Sequence, residues 1–158
     1  MKEGGADAVH FEGTSAQEDK VRSIAEAGIP VLGHIGIIKQ KIVRSGAFRI
    51  QGRTADSAQQ ILADVVAFAN AGAFGLILEC IPTRLAEIIT HSLEIPTIGI
   101  GAGSNCDGQA LVTQDMLGLY KELSPRFLKV YLDLNEIIVE ALTQFRTEVE
   151  QGQFPGPE

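Results

Sequence analysis

The chain has 158 residues, a formal net charge of −7 and a hydrophobic fraction of 45%, a composition ordinary for one globular domain with a sizeable core. The acidic balance argues against nucleic acid as the main partner, since phosphate binding needs clustered Lys and Arg. No apolar run approaches the ~18 residues that a membrane span requires. The first residues lack the pattern of a signal peptide, and Cys80 and Cys106 form no disulfide framework. We therefore expect a cytoplasmic protein with reduced thiols.

The first third of the chain predicts two strands joined by a helix and followed by a long connection. In chain order these are a strand at 8–11, a helix at 14–28, a strand at 29–33 and a connection at 34–53. Ser15 and Glu18 fit a capping box for the helix, and Gly28 supplies its end. A connection of this length in a compact domain is usually functional or wrongly assigned. Its basic residues are Lys39, Lys41, Arg44, Arg49 and Arg53.

The rest of the chain continues the alternation of helices and strands. In order, it predicts a helix at 56–72, a strand at 74–78, a helix at 83–93, a strand at 95–101, a short strand within 109–119 and one long or two short closing helices at 125–152. Thr54 can cap the first of these helices. Its apolar positions recur at helical spacing at Ile61, Val65, Phe68 and Ala69. The continuously apolar strand at 74–78 is typical of one buried on both faces.

This order of elements, without tight hairpins, predicts parallel strands joined by helical crossovers in a single domain over 1–158. A doubly wound sheet would carry a phosphate loop after its first strand, but the only candidate, GIGAGS at 99–104, follows a late strand. A βα-barrel instead collects polar groups at the carboxyl ends of several strands. The polar residues of this chain fit the barrel better.

His10 and Glu12 are two positions apart in the first predicted strand, so their side chains point to the same side. Val9 and Phe11 then face the helices. In a barrel, His10 and Glu12 would point towards the mouth, where a carboxylate suits a hard cation such as Mg²⁺. A salt bridge or a polar plug inside the barrel explains the same pair equally well.

His34 and Glu79 follow later apolar runs. His34 lies in Gly-His-Ile-Gly at 33–36, just past the second strand, where glycines would let the backbone approach a ligand. Glu79 ends an apolar run, and apolar surroundings favour the neutral form of a carboxylic acid, which is how a glutamate becomes a general base near neutral pH. The alternatives are a structural histidine and a strand-end glutamate paired with an arginine or a backbone N–H.

Seven segments carry a resemblance to a known family. They are GADAVHFEG (5–13), AGIPVLGHIG (27–36), QGRT (51–54), AGAFGLILECIP (71–82), IPTIGIGAGSNCDGQALVTQDMLG (95–118), PRF (125–127) and FPGPE (154–158). With these segments in family order, the chain resembles ketopantoate hydroxymethyltransferase, also called 3-methyl-2-oxobutanoate hydroxymethyltransferase.

The resemblance implies an α/β fold, a partial (β/α)₈ TIM-type barrel with about the last five βα units and a C-terminal helix. It implies transfer of a hydroxymethyl group from 5,10-methylenetetrahydrofolate to 3-methyl-2-oxobutanoate, giving ketopantoate for pantothenate biosynthesis, with Mg²⁺ as cofactor and a homo-oligomeric enzyme. Carried over by position, Glu12 is expected to bind the metal, His10 and His34 to bind the substrate, and Glu79 to be the catalytic base.

Two differences from the family pattern matter. Lysine is expected where this chain has His10, and glycine where it has Thr14. Histidine is shorter and mostly neutral at pH 7, so we expect altered substrate binding or a direct contact of His10 with the metal. The motifs also begin at the fourth barrel strand, whereas a typical complete barrel has ~250 residues. We therefore expect the C-terminal portion of a barrel, with little or no transferase activity by itself.

Two other functions compete with this prediction. One is a non-catalytic fragment, or a subunit that needs a partner chain. The other is a related Mg²⁺-dependent lyase or mutase that acts on a keto acid without folate.

Overall fold

The computed structural model of the chain describes residues 3–37, 50–120, 125 and 127–157. Strands and α-helices alternate through these residues, with a 3₁₀ turn at Ser15–Gln17. In chain order they are β1 Val9–Glu12, α1 Glu18–Glu26, β2 Val31–Gly36, α2 Ala55–Asn70, β3 Gly75–Glu79, α3 Thr83–Ser92, β4 Thr97–Ile100, β5 Gly108–Gln109, α4 Thr113–Met116 and α5 Leu134–Glu150.

The strands form a five-stranded sheet in the order β1-β2-β3-β4-β5. Each neighbouring pair is parallel, and α1, α2 and α3 lie in the chain between consecutive strands. This confirms the predicted α/β fold with helical crossovers, and it is consistent with part of a (β/α)₈ barrel, in which sequential strands are also spatial neighbours. The carboxyl ends of β1 to β4 consequently lie along the same edge of the sheet.

The chain separates into two compact units, residues 1–110 and 111–158. The first contains the sheet and its core, in which Phe68, Leu76 and Leu78 are completely buried. Phe11 packs edge-on against Phe68 of α2, with ring centroids 6.0 Å apart, so it faces the helices as its position in β1 predicts. In the second unit, α5 contains no buried residue. Among the described residues, no helix combines the length and apolar character that a membrane crossing needs.

Two local predictions in the first unit are wrong. The second strand does not stop at 33 but continues to Gly36, because its backbone pairs along its length with β3. His34 therefore lies within a strand. The capping box uses Thr14 and Gln17 rather than Ser15 and Glu18: the side chain of Gln17 accepts the backbone N–H of Thr14 at 2.9 Å, because the chain enters α1 through a 3₁₀ turn. The predicted Thr54 cap is confirmed, since Thr54 Oγ1 accepts the N–H of Ser57.

The end of the chain also differs from the prediction. The strand expected within 109–119 is reduced to β5, and the short helix α4 follows it. Within 125 and 127–157, the described part of this region, the structure has one helix, which begins only at Leu134, after the cap residue Asp133. The backbone N–H groups of Tyr131 and Leu134 bond to the carbonyls of Met116 and Leu117, so this stretch satisfies its donors outside a helix. The basic residues at 39, 41, 44 and 49 lie outside the described residues.

Candidate active site

Strand register brings the predicted site residues to the same level of the sheet. Glu12 at the end of β1 pairs with His34 in β2. Glu79 at the end of β3 pairs with Gly36, two residues beyond His34. Because residues two apart in a strand share a face, His10 and Glu12 extend from β1 towards the side on which His34 and Glu79 lie. The carboxyl ends of three parallel strands thus contribute to a single cluster.

His34 is the centre of this cluster. Its Nδ1 lies 2.9 Å from His10 Nε2, a hydrogen bond whose donor depends on the tautomers of the two rings. The same Nδ1 lies 4.0 Å from Glu12 Oε1, and its Nε2 lies 2.9 Å from Glu79 Oε2. The structure therefore brings together all four residues that the sequence singles out. An imidazole lies between two carboxylates, with a second imidazole beside it.

The cluster contains buried polar atoms that the described part of the protein leaves without aligned hydrogen bonds. His34 is 5% exposed. Its Nε2 has no such bond, because the short contact to Glu79 lacks hydrogen-bond alignment, and buried Glu12 Oε2 has no partner there either. Buried polar atoms in folded proteins are rarely left without a partner, and a bound ion can take that place. The site thus has the properties expected of a place that receives a ligand or cation.

Three of the four residues have the geometry of a metal-binding group. One ligand atom from each of His10, Glu12 and His34 lies within 4.8 Å of the others. Mg²⁺ takes oxygen ligands, usually only one or two carboxylates from the protein, and keeps several waters. Glu12 fits this requirement, because its carboxylate lies at the edge of the cluster with one buried oxygen that no described residue satisfies.

The backbone around Glu79 is held from several directions. Cys80, the next residue, has a φ of +52°, which is rare for a residue other than glycine. Its N–H donates to Ile100 in β4, and its carbonyl accepts the N–H of Gln51. A Cβ at Gly36 would collide with the carbonyl oxygen of Glu79. Close backbone contacts from neighbouring segments therefore fix the direction in which Glu79 leaves β3. The thiol of Cys80 is buried, and burial raises its pKa to about 12.

A small polar cavity of about 190 Å³, which the sequence did not lead us to expect, adjoins the strand ends. Gln51, Gln60 and Asp64 are among its lining residues. Asp64, on α2, is 4% exposed and accepts hydrogen bonds from Ser15 N at 2.8 Å and Gln60 Nε2 at 2.9 Å. The sequence contains an indication that Asp64 is buried, because its carboxylate lies at a position of the helix between the apolar residues Ile61 and Val65.

The glycine-containing loop at 101–107, between β4 and β5, is fixed by contacts with neighbouring residues. Gly103 has a φ of +87°, and a Cβ there would collide with the side chain of Thr83. Asp107 accepts hydrogen bonds from the backbone N–H and hydroxyl of Thr97, at 2.8 and 3.1 Å. These bonds hold the pKa of the Asp107 carboxyl below its usual value. These bonds therefore join the first residue of β4 to the residue directly before β5.

A parallel sheet with helical crossovers, whose acidic and imidazole side chains meet at the carboxyl ends of the strands, is the arrangement found in βα-barrel enzymes. Comparison with known proteins gives the particular class. The chain belongs to the ketopantoate hydroxymethyltransferase family, whose model matches residues 1–157.

Curated relatives of this chain are named 3-methyl-2-oxobutanoate hydroxymethyltransferase. The protein of Moorella thermoacetica is 52% identical over 158 residues, which are 100% of this chain and 59% of the relative. Those of Heliobacterium modesticaldum and Enterococcus faecalis are 49% and 47% identical over the same span, which is 57% and 58% of their lengths. The chain therefore spans less than two thirds of the curated relatives that it matches.

Proposed function

We propose that the chain carries the proton-abstracting and cation-binding part of a hydroxymethyltransferase that acts on 3-methyl-2-oxobutanoate with 5,10-methylenetetrahydrofolate. The observation that carries the proposal is the position of His34, 2.9 Å from Glu79 and 4.0 Å from Glu12. It supports a reaction in which a cation and a base act on opposite sides of one small substrate. The names of the relatives supply the substrate and the type of reaction.

In this proposal Glu12 binds Mg²⁺ through its carboxylate. The bound cation would polarise the keto group of the substrate and make the neighbouring carbon–hydrogen bond more acidic. The buried and unsatisfied Oε2 of Glu12 supports this assignment. His34, held between the carboxylates, and His10 beside it would donate hydrogen bonds to the oxygens of the keto acid.

Glu79 is the proposed base. Its side chain is 14% exposed, and the backbone contacts around Gly36 and Cys80 hold it in a defined direction. The carbon–hydrogen bond next to the keto group breaks, and the proton moves to the Glu79 carboxylate. The electron pair forms the new carbon–carbon bond to the methylene group of the folate. Both carbon–nitrogen bonds of the methylene group break, and one water supplies the hydroxyl of the product. The proton taken by Glu79 and the remaining water proton end on the two folate nitrogens, so that tetrahydrofolate leaves.

We further propose that complete transfer is impaired or absent in this chain when it is isolated. The match covers less than two thirds of the relatives, and among the described residues β1 has a strand neighbour on one side only. That open edge favours a second candidate, a chain that acts only together with a complementary polypeptide. The two free cysteines support a cytoplasmic location. The exposed apolar side chains of α5 support a homo-oligomer.

The experiment that tests the proposal is hydrogen–deuterium exchange at the carbon next to the keto group. The purified chain is incubated with 3-methyl-2-oxobutanoate and Mg²⁺ in D₂O, and the loss of the proton signal is followed by NMR. Glu79→Gln is expected to slow the exchange by ~10² or more, the usual contribution of a general base. Glu26→Gln, which changes an exposed glutamate at the end of α1, is the matched control and should exchange like the wild type.

Exchange that is equally fast in wild type and Glu79→Gln would refute Glu79 as the base. Transferase turnover is measured in parallel after addition of 5,10-methylenetetrahydrofolate. Exchange with little turnover is the expected result, and turnover restored by a co-expressed complementary polypeptide would favour the second candidate. Exchange followed by cleavage or rearrangement of the keto acid without folate would point to a lyase or mutase instead.

A further inference from the structure

We propose that His10, Glu12 and His34 together form a site for a nitrogen-preferring divalent transition-metal ion, such as Zn²⁺ or Co²⁺, which competes with Mg²⁺ for the cluster. The role of this competition in the reaction rests on the proposed function, but the metal preference does not. The metal preference follows from the composition of the cluster, which has two imidazoles and one carboxylate. Imidazole is a good ligand for Zn²⁺ and other late first-row ions, whereas Mg²⁺ selects oxygen.

The distances suit a metal centre. At a metal–nitrogen bond length of ~2.0–2.1 Å, two nitrogens 2.9 Å apart, as His10 Nε2 and His34 Nδ1 are, subtend ~90° at the metal. That is the angle between adjacent ligands of an octahedron, and a tetrahedral Zn²⁺ would need the two nitrogens to separate to ~3.3 Å. Glu12 Oε1 lies 4.0 Å from His34 Nδ1, which is longer than the ~3.0–3.4 Å between adjacent ligands of an octahedral or tetrahedral metal. The three ligand atoms lie within 4.8 Å of one another, so a rotation that moves the Glu12 carboxylate by about 1 Å towards the two nitrogens would complete the site.

A second observation points independently to a cation. Glu12 Oε2 is buried and has no hydrogen-bond partner in the described part of the chain. A buried carboxylate oxygen without a donor costs free energy, and a bound cation removes that cost. His34, which contacts both His10 and Glu12, is 5% exposed. The surrounding residues of the sheet therefore hold its ring in place.

Glu79 lies where a supporting carboxylate is found behind metal-binding histidines. Its Oε2 is 2.9 Å from His34 Nε2, on the side of the ring away from His10 and Glu12. The contact is not aligned as a hydrogen bond in the described structure. Once a side-chain rotation aligns it, the carboxylate would favour the tautomer with the proton on Nε2, which leaves the Nδ1 lone pair for the metal and increases its basicity. On His10 the proton then occupies Nδ1, and Nε2 becomes the second nitrogen ligand.

The experiment measures metal binding directly and does not depend on turnover. The purified chain, free of any histidine tag, is titrated with Co²⁺ while its visible absorption is recorded, and Zn²⁺ and Mg²⁺ affinities are measured by equilibrium dialysis. We expect Zn²⁺ to bind at least ~100-fold more tightly than Mg²⁺, with Co²⁺ bands typical of nitrogen ligands. His10→Gln should weaken Zn²⁺ at least ~10-fold and change Mg²⁺ less than ~2-fold, because it removes a nitrogen ligand that Mg²⁺ does not use.

His91→Gln is the matched control, because His91 is an exposed histidine of α3 outside the cluster. It should leave both affinities unchanged. His10→Asn is a second variant at the same exposed position, and circular dichroism checks that each variant is folded. Unchanged Zn²⁺ affinity in both His10 variants, or equal losses for Zn²⁺ and Mg²⁺, would overturn the proposal.

The outcomes also separate this inference from the proposed function. Glu12→Gln should abolish Mg²⁺-dependent proton exchange if the proposed function is correct. If exchange is absent from the wild type while Zn²⁺ binding depends on His10, only the proposed function fails. If exchange depends on Glu12 and Glu79 while Zn²⁺ binds independently of His10, only the metal preference fails.

Discussion

The two compact units of the chain use their apolar side chains in opposite ways. In residues 1–110, apolar side chains of the sheet and helices are buried in one core, with Val65, Phe68 and Leu76 at 0% exposure. In residues 111–158, α5 contributes no buried residue, and Leu142 and Phe145 are 62% and 50% exposed. The first unit is therefore stabilised by its own packing, whereas the apolar side chains of α5 contribute little to the stability of the second.

This difference explains where the candidate site lies. A site whose polar atoms must keep their positions within fractions of an ångström needs side chains and backbone that packing holds in place. His34 and Glu79 extend from strands that contribute residues to the core, and Glu12 extends from β1, whose Val9 and Phe11 pack against that core. In the second unit, α5 has no buried residue that could give such support to a cluster of charged groups. Changes in the core of the first unit should therefore affect both stability and the site, and changes on α5 neither.

The largest expected effect is that of Phe68→Ala. Phe68 is fully buried and packs against Phe11 on β1, so its removal leaves a cavity and should lower the free energy of unfolding by about 3–5 kcal/mol. Phe145→Ala on α5 is the matched control and should cost less than ~1 kcal/mol, because the side chain is half exposed. Both are measured by urea unfolding of the 158-residue chain. Equal losses would contradict the contrast between the two units.

A smaller effect is expected for Gly36→Ala. Gly36 has a φ of +115°, and an added Cβ would collide with the Glu79 carbonyl. We expect a loss of about 3 kcal/mol from overpacking together with backbone strain, accompanied by slower proton exchange because Glu79 is displaced. Gly152→Ala also has a positive φ, +70°, but its Cβ would meet open space, so it should cost only ~1 kcal/mol from strain. If Gly36→Ala is as stable as Gly152→Ala, the backbones of β2 and β3 can move apart to accept the added Cβ, which would contradict the tight contact assigned to this position.

The smallest expected effect is the contribution of Asp107 to the pH dependence of stability. The N–H and hydroxyl of Thr97 hold the pKa of Asp107 below its usual value. The stability that Asp107 contributes is therefore complete above its unfolded-state pKa of ~3.9 and is lost as pH falls through the lower folded-state pKa. Asp107→Asn should be less stable than wild type at neutral pH, and the difference should shrink in acid.

Thermal melts between ~pH 6 and ~pH 2 measure this difference across the titration. Asp7→Asn, which changes an exposed aspartate before β1, serves as the control for the loss of one charge. The melting temperature of Asp107→Asn should fall less in acid than those of wild type and Asp7→Asn. A gap between wild type and Asp107→Asn that stays constant with pH would contradict the assigned cause.

Part of the site could be predicted because it depends on short-range regularities. The two-residue period of a strand places His10 and Glu12 on one face, and parallel strands bring their carboxyl ends to one edge, which is enough to expect Glu79 nearby. The position of His34 was harder to predict, because the apolar pattern indicated that the second strand ends before His34, whereas the strand continues to Gly36. The buried carboxylate of Asp64 was missed for a related reason. Gln60 is a local neighbour four residues earlier on α2, but the other partner, Ser15, reaches Asp64 only once α2 packs against the 3₁₀ turn before α1.

The sequence by itself determined the alternation of strands and helices, the parallel pairing and the residue types available for acid–base and metal chemistry, because periodicity, capping and side-chain chemistry are local properties. Only the tertiary structure decided that Glu12 pairs with His34 and Gly36 with Glu79. It also placed a single imidazole between two carboxylates. The register of parallel strands depends on how the helices between them pack into a common core, and that packing involves residues far apart in the chain.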